Sequence, residues 1–218
     1  MKFDLEKLIK HVNNSFENVE NNISKLPEEI LNIEGMSGTK TRHLYNNICS
    51  LSDANYLEVG TWKGSSFISS LYRNSVNAIA IDNWAEFNGP KQEFIENVNR
   101  FIDYEYNFIE KDSFEITQDD IFDIYKSVDI YLYDGCHEYE SHKKAITHFS
   151  KFLSKFSIIM IDDWRPDRVW EKVQRGTYDG LKESGLIVHH FVERITHQEI
   201  NGKSEYWNGI GVFVCEKK

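Results

Sequence analysis

The sequence has little of what marks several protein classes. Its three cysteines, Cys49, Cys136 and Cys215, lie far apart and include no C-x-x-C pair. No disulfide framework is therefore read, and a reducing, cytoplasmic setting is expected. No run approaches the roughly 18 apolar residues of a membrane span. The amphipathic N-terminus MKFDLEKLIKHVNNSF carries acids where a secretory signal needs an unbroken apolar core. Basic residues are outnumbered, 25 against 35 acidic ones, for a formal net charge of -10. A surface that tracks a nucleic-acid backbone needs clustered Lys and Arg, so neither nucleic acid nor a membrane is expected as a partner. The three prolines sit where helices begin or loops turn, and no internal repeat or Pro/Gly-rich linker divides the chain. What is present is apolar mass: 40% hydrophobic residues over 218 positions suffice for one substantial core.

Residues 4–34 place Leu5, Leu8, Ile9, Val12 and Phe16 at helical spacing, and Pro27 opens a short further turn. A second helix is predicted from Gly38 to Leu51. Apolar runs then alternate with helical patterns five times. The runs are 56–60, 76–83, 106–112, 128–135 and 156–164; the helices are 64–74, 91–102, 117–126, 139–154 and 166–184. That rhythm predicts βα units and a mainly parallel sheet covered on both faces. Two last runs, 186–194 and 209–217, have only a polar hinge with Asn201-Gly202 between them and are expected to pair antiparallel. The expectation is an N-terminal helical cap (1–51) on an α/β, Rossmann-like, doubly wound seven-stranded domain (52–218).

Ligands of an open parallel sheet bind outside the carboxyl ends of its strands. All five predicted parallel strands bring an acid to that edge: Glu58, Asp82, Asp112, Asp134 and the pair Asp162-Asp163. Acids are poor strand residues and repel one another when crowded. The segment NYLEVGTWKGSS places Gly60 and Gly64 after Glu58, allowing a sharp turn and close backbone approach to a ligand before a helix begins. Trp62 occupies the second glycine position of a G-x-G-x-x-G dinucleotide fingerprint, and Glu58 would repel a phosphate. A ligand with an amino group suits Glu58. Asp82 is placed for ribose hydroxyls, and Asp112 with Ser113 for an adenine amino group.

Amino group, ribose and adenine together describe S-adenosylmethionine. Over residues 36–217 the chain resembles the class I S-adenosylmethionine-dependent methyltransferases, whose reversed seventh strand matches the terminal pair. EVGTWKGSS is similar to the small-molecule O-methyltransferases of the methyltransferase domain 24, catechol and macrolide-sugar types. The resemblance implies cofactor contacts from Glu58, Gly60, Thr61, Lys63, Gly64, Ser65, Asp82, Asn83, Asp112, Ser113 and Asp134. It implies a metal set of Asp134, Asp162 and Asp163, and an all-oxygen set suits Mg²⁺ or Mn²⁺. Asp162 and Asp163 could instead cap the helix after Pro166 or pair with Arg165 and Arg168.

His137, three residues after Asp134, stands where catechol-type enzymes carry a lysine base, and is the candidate general base; Asp134 is the other catalytic candidate. A hydrogen-bonding or cofactor-contact role is the alternative for His137, and His142 is a weaker candidate. HEYESH is not H-E-x-x-H, so no zinc-protease reading arises. Trp62, Trp84, Tyr139, Trp164 and Trp170 are candidate pocket walls. The implied activity is divalent-metal-assisted O-methylation of a small hydroxylated acceptor such as a sugar, glycan precursor or natural product, by a chain that could form a homo-oligomer. The alternatives are a metal-independent O- or N-methyltransferase using His137, and a non-catalytic cofactor-binding relative acting as a partner subunit.

Overall fold

A computed structural model describes residues 3–164, 170–195 and 205–218, with the backbone alone for Trp170 and Glu171. The expected start of a helix at Pro166, the Arg165 and Arg168 pairings, the side chain of Trp170 and the Asn201-Gly202 hinge lie outside the described residues.

Among the described residues seven strands form one sheet: β1 (Asn55–Val59), β2 (Asn77–Asp82), β3 (Asn107–Glu110), β4 (Val128–Tyr133), β5 (Leu153–Asp162), β6 (Ile187–Arg194) and β7 (Ile210–Glu216). Their order is β3-β2-β1-β4-β5-β7-β6. The first five are parallel, and β7 runs antiparallel to both β5 and β6. Reversal of strand order between β1 and β4 creates the crevice at which such sheets bind ligands.

The helices are α1 (Leu5–Glu20), α2 (Glu28–Leu31), α3 (Thr39–Ile48), α4 (Ser65–Leu71), α5 (Lys91–Phe101), α6 (Gln118–Phe122), α7 (Tyr139–Phe149) and α8 (Trp170–Glu183). Alternation along each strand separates two cores. Tyr56, Ala80, Leu132, Met160 and Val212 meet α1, α3, α4 and α5, whereas Leu57, Ile81, Tyr131, Ile159 and Phe213 face the side covered by α6, α7 and α8. The N-terminal helices are thus continuous with the sheet: Leu8, Val12, Phe16 and Val19 of α1 share the first core with Ile130, Ile158 and Val212. The buried guanidinium of Arg42 on α3 donates to the carbonyls of Ile30, Leu31 and Ile33 and to Ser37, tying the preceding segment down. Burial lowers its pKa to about 10, so it stays charged at neutral pH.

Several boundaries differ from the sequence reading, among them three around β4 and β5. Helix α7 ends at Phe149 rather than 154; a 3₁₀ turn over Ser150–Phe152 follows, and β5 starts at Leu153 rather than 156. Phe149, Phe152 and Leu153 keep helical spacing, yet Leu153 pairs with Val128 of β4. Helix α6 stops at Phe122 rather than 126, because Tyr125 turns inward and donates its hydroxyl to the Tyr56 carbonyl. Among the described residues no helix is long and apolar enough to cross a membrane.

Candidate active site

The turn after β1 is shaped by its neighbours. Gly60 has φ +85°, and a Cβ there would lie 2.0 Å from the Asp134 carbonyl oxygen. Only glycine fits, because the end of β4 runs against it. Gly64, at φ +87°, would set a Cβ 3.0 Å from the Phe94 ring. Between them Trp62 adopts φ +43°, uncommon for a bulky residue. Asp82 holds this conformation: Oδ2 accepts from the amides of Thr61 (2.8 Å) and Trp62 (2.9 Å), and Oδ1 from that of Trp84 (2.7 Å). The residue expected to meet a ribose is therefore first the anchor of the turn, with one lone pair of Oδ1 remaining for a hydroxyl.

Other expected cofactor residues are placed differently. Lys63 directs Nζ to Glu93 (2.7 Å) and Glu34 (3.0 Å), away from the strand edge. Ser65 is buried against Gly35, where an added Cβ would meet its Oγ at 2.0 Å. Asn83 accepts from the Ala85 amide at 3.0 Å, and Asp112 caps the 3₁₀ turn Ser113–Glu115 through Phe114 at 2.8 Å. Asn83 and Asp112 are exposed at the edge and Ser113 is partly so. Trp84 and Trp164 are core residues; Trp164 packs with Tyr178, Phe191 and Phe213 and donates to Glu193 at 2.6 Å. Tyr139 bonds Asp179 of α8. Trp62, partly exposed and edge-on to Phe87, remains as an aromatic wall.

Glu58 is fully enclosed. Its carboxylate accepts from the Tyr56 hydroxyl and from Ser66 Oγ at 2.5 Å. Burial pushes its pKa up to about 8, against the pull of those two donors and with help from Asp134 and Asp82. A ligand ammonium at the turn would favour its charged form without touching its enclosed oxygens.

At the ends of β4 and β5 three side chains converge. His137 Nε2 lies 2.7 Å from Asp163 Oδ2 and 3.9 Å from Asp134 Oδ1, and one ligand atom from each residue falls within 4.8 Å of the others. Burial opposes a charged imidazole, but Asp134 and Asp163 outweigh it and lift His137 to about 11. The expected general base is thus an imidazolium as the structure holds it. Asp134 is raised by burial and by Asp163, with His137 opposing.

Asp162, expected in the metal set, supplies no ligand atom to that group. Its neighbour Asp163 has φ +53°, in the left-handed region. Asp162 is 6% exposed and its Oδ1 has no hydrogen-bond partner. Burial, then Asp134 and Asp163, raise it well above the carboxylate range. Tyr45, a residue of α3 whose periodicity reads as plain core, lies in its field: the Tyr45 hydroxyl, fully buried, is raised by burial and then by Asp162, Asp134 and Glu58. His142 packs behind this group against Tyr133, with both ring nitrogens unpartnered, and burial followed by His137 lowers it to about 3.

These residues fit both implied groups. Thr61 Oγ1 is buried without a partner in the glycine turn, as a site for a polar ligand would leave it. A divalent cation fits the donor set of Asp134, Asp163 and His137, where two carboxylates meet against one imidazole.

Comparison with known proteins agrees with this placement. The family described as methyltransferase domain matches residues 57–164, from within β1 to just past β5. No curated protein matches the chain. An O-methyltransferase from Bacillus cereus, solved in complex with S-adenosylhomocysteine, superposes with a TM-score of 0.60 at 14% identity, covering 92% of this chain and 90% of that one. A candidate O-methyltransferase from Klebsiella pneumoniae gives 0.54 at 14%, covering 95% and 90%. A candidate RNA methyltransferase from Pyrococcus horikoshii gives 0.55 at 13%, covering 94% and 97%. At such identities the superpositions establish the fold alone.

Proposed function

We propose that the chain, which is a class I S-adenosylmethionine-dependent methyltransferase, methylates a hydroxyl oxygen of a small acceptor such as a sugar, glycan precursor or natural product, with a divalent cation at the ends of β4 and β5. The observation that supports this is the meeting of Asp134, His137 and Asp163 at the strand edge beside the glycine turn. S-adenosylmethionine supplies a methyl group on a sulfonium. The cation, when bound, polarises the acceptor hydroxyl and lowers its pKa.

The protein's own part is positioning and charge. The turn 60–64, braced by Asp82, offers Thr61 Oγ1 to the cofactor, and Glu58 lies behind it, where the cofactor's positive charge would draw it into its charged form. Transfer forms an O–CH₃ bond, breaks the S–CH₃ bond and releases the hydroxyl proton. That proton leaves to solvent at the exposed strand edge, since Asp162 is raised by burial and His137 Nε2 is engaged by Asp163. The net charge of -10 favours a small acceptor over RNA.

A second reading, in which His137 activates the acceptor without metal, has the His137–Asp163 pair in its favour, since a carboxylate can orient a catalytic imidazole. It requires His137 to be neutral. The test is transfer of labelled methyl to a panel of hydroxylated and amine acceptors, with RNA as competitor, by wild type and Asp163→Asn. The proposal expects label in an ether and strong loss in the variant. Label on nitrogen or on RNA would reject it.

A further inference from the structure

We propose that the cation at this edge is bound through one imidazole and two carboxylates, His137 Nε2 with Asp134 and Asp163, and is therefore a borderline transition ion such as Mn²⁺, Fe²⁺, Co²⁺ or Zn²⁺ rather than Mg²⁺. The inference rests on the cation-assisted reading above and replaces the all-oxygen set with a mixed one.

The geometry carries it. Metal bonds of about 2.0–2.2 Å at angles of 90–110° put neighbouring ligand atoms about 3.0–3.5 Å apart. The His137–Asp163 separation of 2.7 Å and the His137–Asp134 separation of 3.9 Å bracket that range, and all three ligand atoms lie within 4.8 Å of one another, so side-chain rotations can draw them onto one ion. His137 and Asp134 are three residues apart on the loop between β4 and α7, and Asp163 follows β5, the strand next to β4. Asp163, left-handed at φ +53°, meets His137 with its carboxylate, while Asp162 supplies no ligand atom and lies beside Asp134.

A separate observation points to a cation here. Asp162 Oδ1, beside Asp134 one step past the last paired residues of β4 and β5, is buried and has no hydrogen-bond partner. A buried carboxylate oxygen without a donor is costly, and positive charge nearby offsets the cost. Imidazole is a common ligand of Mn²⁺ to Zn²⁺, while Mg²⁺ prefers oxygen and retains its waters.

The test uses metal-stripped full-length protein and the metals alone. Titration calorimetry should find Mn²⁺, Co²⁺ or Zn²⁺ bound at least about 10²-fold more tightly than Mg²⁺. Pulsed EPR of the Mn²⁺ form should show coupling to a ligated ¹⁴N. His137→Gln, which keeps a polar side chain of similar reach, should abolish that coupling and weaken Mn²⁺ by about tenfold or more. Asp162→Asn should keep the coupling, and melting curves of the metal-free variants check folding. Mn²⁺ binding without ¹⁴N coupling, or with coupling that survives His137→Gln, would overturn the proposal and leave cation assistance standing. Failure of every divalent ion to bind would overturn both.

Discussion

Glu58→Gln is the perturbation that tests most about the buried side of the site. Glu58 is wholly enclosed, and its pKa in the folded protein is about 8 against an ordinary value of 4.5. Because the folded value is the higher one, the folded protein binds more protons between pH 4.5 and 8, and stability falls as the pH rises through that window. The corresponding penalty is about 3 kcal/mol at pH 7 and about 1 kcal/mol at pH 5. Glutamine has the same shape and no charge, so it removes the penalty. It must, however, reverse one hydrogen bond, with the Ser66 or Tyr56 hydroxyl accepting from its amide, at about 1 kcal/mol. The variant should therefore be about 2 kcal/mol more stable than wild type at pH 7, or about 4–8 °C in Tm, and nearly equal to it at pH 5. Thermal melts of both proteins from pH 5 to 8 measure this. The variant should also bind S-adenosylmethionine more weakly, since the cofactor's positive charge is what justifies a buried acid there. A variant destabilised equally at every pH would refute the reasoning, because Glu58 would then be an ordinary hydrogen-bonding residue.

Gly60→Ala combines φ +85° with a Cβ 2.0 Å from the Asp134 carbonyl and should cost at least about 2 kcal/mol, a Tm loss of about 4 °C or more; a change within 1 °C would contradict the geometry. Asp82→Ala leaves three backbone amides without their acceptor, so hydrogen exchange at Thr61, Trp62 and Trp84 should quicken and cofactor affinity should fall about tenfold. Arg42→Lys should behave almost as badly as Arg42→Met, each losing about 2–4 kcal/mol by chemical denaturation. A single ammonium cannot reproduce the forked contacts to Ile30, Leu31, Ile33 and Ser37.

Much of the architecture is legible in the sequence because hydrophobic alternation reports which segments must be buried on two faces. The five runs ending in acids become β1 to β5, and the two without an intervening helix become the antiparallel β6 and β7. Glycine positions are equally legible, although their reason is different: Gly60 yields to the Asp134 backbone before it yields to any ligand. What stays hidden is the direction of polar side chains. Nothing in the motif WKG says that Lys63 turns to Glu34 and Glu93, or that Asp82 is spent on three amides.

The two acids of IDDW are the clearest instance. Which one meets His137 is decided by the turn at Asp163, and that turn is tied to Trp164, seated among Phe191, Phe213 and Tyr178 with Gly211 making room for its ring. These contacts come from elements far along the chain, so local pattern cannot carry them. Tyr45 is concealed for a related reason. Its apolar ring satisfies the helix periodicity, while its hydroxyl lies in the field of the acids at three strand ends.

The central claim is that methyl transfer to oxygen depends on a cation at the β4 and β5 ends. It is tested most directly by following labelled methyl from S-adenosylmethionine to a hydroxylated acceptor with metal-stripped protein, before and after adding back Mn²⁺, Co²⁺, Zn²⁺ or Mg²⁺. The account predicts a rate near background without metal, recovery with an added divalent ion, and no recovery in Asp163→Asn. Undiminished transfer by the stripped protein would contradict it.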